Sequence, residues 1–93
     1  MKAILKDHVI ADSDDIVERG GYHYFPPSTV RMEWLDKAAR TESDDACPHG
    51  VQFYDVVIDG RRHARAAWVY ESPRPAMQPT AGRFGFWKDV ELL

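Results

Sequence analysis

Cys47 and His49 flank Pro48 just ahead of Gly50, and Cys47 is the only cysteine in the chain. Side chains two apart in a loop can point the same way. An imidazolium beside a thiol favours the thiolate, which is the nucleophilic form. Asp44 or Asp45 could orient the imidazole, so the stretch has the residue types of a Cys–His dyad. The competing reading needs less: a free cysteine behaves as a small hydrophobe, while Pro48 and Gly50 serve the backbone. We assign no catalytic residue and place Cys47 and His49 on the rim of a ligand cleft.

The residues expected to form that cleft are aromatic. Residues i and i+2 of a strand share a face, so Tyr22 pairs with Tyr24 and Trp68 with Tyr70. With Tyr54 they would make an apolar mouth bearing hydroxyl groups, suited to a flat ligand, and Trp34 and Trp87 could join it. Arg31 could supply an anion contact or a cation–π partner. The alternative is a small core whose polar tips reach water. A basic cluster, Arg61, Arg62, His63 and Arg65, surrounds Asp59-Gly60; Arg61, His63 and Arg65 would share one face, solvated or phosphate-binding. The acidic stretches Asp12 to Glu18 and Glu42 to Asp45 lack the spacing of an EF-hand calcium loop and read as exposed turns.

Short strands must position these groups. Lys2 to Leu5 and His8 to Ala11 flank Lys6-Asp7, and Ile16 to Arg19 and Tyr22 to Phe25 flank Gly20-Gly21. Two successive glycines tolerate the positive φ angles of a tight hairpin. Val51 to Ile58 and Arg62 to Tyr70 should pair across Asp59-Gly60, with Ala64, Ala66, Trp68 and Tyr70 on one face. Ser28 could cap a helical turn through Arg31. Met32 to Leu35 reads equally as helix or strand. Arg40 to Asp45 reads as an exposed acidic loop, and Ala76 to Ala81 as at most a helical turn, since Pro79 lacks a donor. Arg83 to Trp87 and Asp89 to Leu92 close the count at six to eight strands.

At 93 residues, with 44 % apolar and eleven aromatic side chains, the chain is long enough for one small core and is expected to form a single domain over 1–93. A net charge of −3 gives no general attraction to phosphate backbones, so nucleic acid is not an expected partner. One cysteine allows no internal disulfide and no thiolate-rich zinc site. No apolar run nears a bilayer span, and Lys6 and Asp7 interrupt the N-terminal stretch that a signal peptide would need. The expectation is a soluble cytoplasmic protein without a cofactor, its partner an unknown small molecule, with a homodimer left open.

Six landmarks in order carry a resemblance: "ADS" at Ala11 to Ser13, "YFPPSTVR" at Tyr24 to Arg31, and Cys47-Pro48 before a glycine. "YDVVIDG" at Tyr54 to Gly60, "AAWVYESPRP" at Ala66 to Pro75 and "FGFW" at Phe84 to Trp87 complete the set. Together they resemble a family of small bacterial proteins, DUF427, a domain of unknown function. The resemblance implies a mainly β domain of antiparallel strands with the β-tent (Mss4-like) architecture and one or two short helical turns. Relatives of that architecture often hold zinc between cysteine pairs, which a single cysteine does not provide. The family usually shows a residue and then a lysine between Cys-Pro and Gly; only His49 stands here, so no role of that lysine carries over. A nucleotidyltransferase label also attaches to the family. Asp12-Ser13-Asp14 has the spacing of a metal-binding carboxylate pair, but no Gly-Ser element precedes it.

The reading is a small β domain that binds a small ligand in an aromatic cleft. The alternatives are a small enzyme, by Cys/His chemistry or metal-assisted nucleotidyl transfer, and a protein-interaction module.

Overall fold

The computed structural model describes all 93 residues. Nine strands run β1 (Lys2–Leu5), β2 (His8–Asp12), β3 (Val17–Arg19), β4 (Tyr22–Phe25), β5 (Leu35–Lys37), β6 (Val51–Ile58), β7 (Arg61–Tyr70), β8 (Phe84–Phe86) and β9 (Glu91–Leu92). They form two antiparallel sheets, a small one ordered β2-β1-β9 and a large one ordered β3-β4-β8-β7-β6-β5.

The glycine-bearing turns set the hairpins. Gly20 and Gly21 have φ of 59° and 85°, and Asp59 and Gly60 have 52° and 77°. Both pairs occupy the left-handed region that a right-twisted two-residue hairpin requires. Ile58 pairs with Arg61, so β7 starts one residue earlier than the sequence suggests. Met32 to Leu35 is both of its readings in succession: a 3-10 turn over Met32–Trp34 leads into β5 at Leu35. The turn after Pro26 is also 3-10, Pro27–Thr29, and Ser28 does not cap it. Pro26 starts it, and the Thr29 hydroxyl donates to the Pro26 carbonyl at 2.8 Å.

Arg40 to Asp45 departs further from expectation. Glu42–Asp45 is a short helix, α1, and Asp44 is only 4 % exposed. Thr41 caps it: its hydroxyl accepts from the Asp44 amide at 3.2 Å while Asp44 Oδ2 accepts from the Thr41 amide at 3.0 Å, a reciprocal capping box. The expected acidic loop is thus an ordered turn with one carboxylate turned inward.

The core lies between the sheets. Ala3, Leu5, Ile10 and Ala11 of the small sheet meet Phe25, Tyr54, Val56, Ala67, Val69, Phe84 and Phe86 of the large one. Alternation along β7 breaks once. Between Tyr54 and Val56 the register shifts, so Asp55 stands opposite Ala64, Arg65 and Ala66, and Arg65 has φ of 55°. The bulge is held by Asp55 Oδ1, which accepts from the Arg65 amide at 2.9 Å. Arg61 and His63 keep one face, but Arg65 is turned away from them, because extra residues in a strand must leave the pleat.

Candidate functional site

The large sheet has a second apolar face. A cross-strand row, Tyr24–Gly85–Trp68–Phe53, runs over β4, β8, β7 and β6. Gly85 makes the row close. A Cβ there would lie 2.6 Å from Trp68 Cζ2 and 2.7 Å from Cε2, so the indole lies flat on the backbone of β8. The two-residue period places Tyr22, Val51 and Tyr70 beside the row.

These groups enclose a cleft of about 270 Å³ lined by Tyr22, Cys47, Val51, Phe53, Trp68, Tyr70 and Trp87. Its rings meet largely edge to face: Tyr22 with Trp68 at 5.0 Å and 87°, Trp68 with Trp87 at 5.4 Å and 69°. Phe53 and Trp87 instead lie more nearly parallel, 5.9 Å apart. Edge-to-face pairs put the positive ring edge on the negative face and fix each ring's tilt. Perpendicular walls leave a slot between them.

Tyr24 forms the floor. It is 1 % exposed, with ring centroids 5.9 Å from Trp68 and 6.1 Å from Tyr70. Burial, and then the neighbouring Tyr70 hydroxyl, push its phenol up to about 12. Tyr24 therefore stays a neutral hydroxyl. The indole N–H of Trp68 is buried in the same wall and completes no hydrogen bond.

One rim is built by α1 and the loop after it. Arg65, diverted by the bulge, grips Asp44 through both guanidinium nitrogens, at 2.7 and 3.1 Å, and its guanidinium lies 4.0 Å over the Phe53 ring. Hydrogen bonds from Arg65 hold Asp44 down to about 2, against the opposing effect of burial. The bulge thus ties a β6–β7 residue to the helix that carries Cys47 to the cleft. On the other side, Trp87 Nε1 donates to the Arg65 carbonyl.

Cys47 is half-buried in the cleft wall. Its amide donates to the Asp44 carbonyl at 3.1 Å and its carbonyl accepts from Gly50 at 3.2 Å. His49 lies outside the lining, its ring 5.4 Å from Tyr70. His49 Nδ1 accepts from the Arg74 amide at 2.9 Å. While it accepts that bond, Nδ1 carries no proton, which leaves Nε2 as the nitrogen able to donate. No hydrogen bond joins Cys47 to His49, and His49 Nδ1 is taken up by the Arg74 amide.

Of the residues singled out in the sequence, Tyr22, Cys47, Trp68 and Tyr70 line the cleft, Tyr24 underlies it and His49 borders it. Tyr54 and Arg31 lie elsewhere. Tyr54 alternates to the opposite face of β6 and meets Phe84 edge to face at 5.2 Å in the main core. Arg31 sits 5.2 Å over Trp34, and its amide donates to the Ile10 carbonyl, beside the small sheet. Trp87, named only as an optional member, is a full wall, and Phe53 and Val51 were not foreseen. The signal for both is in the strand alternation, which sets Phe53 on the face opposite Tyr54 and gives Val51 the same parity. Asp12 to Asp14 closes a turn in which the Ser13 hydroxyl accepts from the Asp15 amide at 2.9 Å. Nowhere are three or more His, Cys, Asp or Glu side chains grouped to hold a metal ion, and no helix is long and apolar enough to cross a membrane.

The family described as a domain of unknown function, DUF427, matches residues 1–92, and the chain belongs to it. No curated protein matches the chain.

Proposed function

We propose that this DUF427 domain binds a small, flat, largely uncharged ligand in the cleft of the large sheet. One observation carries the reading. A concave, almost wholly apolar site is walled by rings on a sheet face that no second sheet covers. Aromatic surface kept away from a core is costly in water, and a ring-sized guest between perpendicular walls recovers contact on several sides. A β-tent relationship belongs to the same reading, supported by two antiparallel sheets over one core. The lining supplies binding and orientation. Its only nucleophile, Cys47, has no base against it, so the reading is a binding module.

Trp68 and Trp87 report directly on occupancy. Titration with quinoline should quench the intrinsic fluorescence saturably and raise the melting temperature. Cys47→Phe, which fills the slot from its rim, should abolish both responses while leaving the fold intact. An unsaturable response, or an unchanged one in Cys47→Phe, would remove the cleft from consideration.

A further inference from the structure

The basic cluster around Asp59-Gly60 is sorted by the fold. Arg62 is committed to Asp55 at 2.7 Å and Asp36 at 3.1 Å, and Arg65 to Asp44. Arg61 and His63 remain, on the core-facing side of β7, where the gap between the sheets opens. The β1–β2 turn of the small sheet arrives at the same place and adds Lys6 and His8. A cavity of about 400 Å³ results, lined by Lys6, His8, Asp59, Arg61 and His63 over Leu5 and Ile58. It lies apart from the aromatic cleft and shares no residue with it.

The carboxylate in the cavity lining, Asp59, is engaged by one histidine, and Asp89 by the other. His8 Nε2 meets Asp59 at 3.2 Å across the two turns, and His63 Nδ1 meets Asp89 at 3.0 Å. That leaves the Lys6 ammonium and the Arg61 guanidinium without a carboxylate, one from each sheet. It also leaves His8 Nδ1 and His63 Nε2 as the ring nitrogens not engaged by a carboxylate. The backbone at Lys6 takes a left-handed turn position, φ 55°, and that at Arg61 is paired with Ile58. The set pairs two cations with two ring nitrogens that donate only when their imidazoles are protonated. It suits an oxyanion, since a guanidinium fork and an ammonium together match a phosphate's oxygens.

We propose that this cavity is a second ligand site, for a phosphate group, with Lys6 and Arg61 as the charged contacts and His8 and His63 beside them. The test is an NMR titration of the folded chain with inorganic phosphate and with glycerol phosphate, at ionic strength held constant with chloride. Saturable shifts should appear in the Lys6, Gly60 and Arg61 amides and in the His8 and His63 rings. They should weaken by at least about tenfold, or 1.4 kcal/mol, in Lys6→Gln/Arg61→Gln, and be unaffected by Cys47→Phe. Tighter binding of either probe supports the site and tells free phosphate from a phosphate ester. Shifts that chloride reproduces, or that survive the double substitution, overturn the proposal. Lys6 and Arg61 lie at an exposed turn and an exposed strand end, and an unchanged amide spectrum of the free double variant establishes that it folds.

Discussion

The large sheet has two apolar faces, and they are finished differently. On the inner face, Phe25, Phe84 and Phe86 pack against Ala3, Leu5 and Ile10 of the small sheet, and Phe25 is fully buried. On the outer face, Tyr22, Phe53, Trp68, Tyr70 and Trp87 pack mainly on one another and leave about 270 Å³ open. Aliphatic side chains from a facing layer fill the gaps between rings, whereas rings alone, held edge to face, do not. Both faces are apolar; only the inner one is closed.

The comparison breaks most sharply at the inner face. Phe25→Ala should cost about 3–5 kcal/mol in denaturant unfolding, the range for deleting a fully buried ring. A cost no greater than that of an outer-face ring would mean that the two faces are energetically alike. On the floor of the outer face, Tyr24 ties stability to pH. Its phenol ionises near 12 when folded, against 10.0 ordinarily. The unfolded chain therefore gives up its proton first. The contribution is complete below pH 10 and is lost as pH rises from 10 towards 12, on the order of 3 kcal/mol from that shift. Denaturation at a series of alkaline pH values should show that loss, and Tyr24→Phe should reduce its slope. An unchanged slope would show that Tyr24 ionises freely.

Gly85→Ala probes the seam between the faces. Its Cβ would collide with the Trp68 ring at 2.6 Å, and the forced shift should cost about 1–3 kcal/mol and change the near-ultraviolet signal of the tryptophans. A silent substitution would place the indole off the β8 backbone. The smallest effect on stability belongs to Tyr22→Ala. Tyr22 is 42 % exposed, so its loss should cost under about 1 kcal/mol while weakening quinoline quenching. A large stability loss without a change in quenching would make Tyr22 a core residue and not a wall.

The local signals in the sequence were dependable where a single residue decides the backbone. Gly20-Gly21 and Asp59-Gly60 form left-handed turns because glycine bears positive φ without strain, and the hairpins follow. Strand parity placed Tyr22 with Tyr24 and Trp68 with Tyr70 correctly, because a side chain's face depends only on its neighbours in the strand. The same parity put Tyr54 opposite Phe53, but it could not say which face another sheet would cover, so Tyr54 was grouped with the cleft. The unforeseen features all depend on partners distant in the chain. Arg65 leaves its row because Asp55 and Asp44 hold it, and Asp44 is buried because Arg65 reaches it from 21 residues away. Arg61 and Lys6 share a cavity only because two turns on different sheets converge. The sequence by itself determined the hairpin turns, the main strands and, away from the β7 bulge, the side each residue faces, since those are settled within a few bonds. Tertiary structure alone decided which apolar face stays open and which charges remain unpaired, since covering a face or pairing a charge requires a partner that only the folded chain brings near.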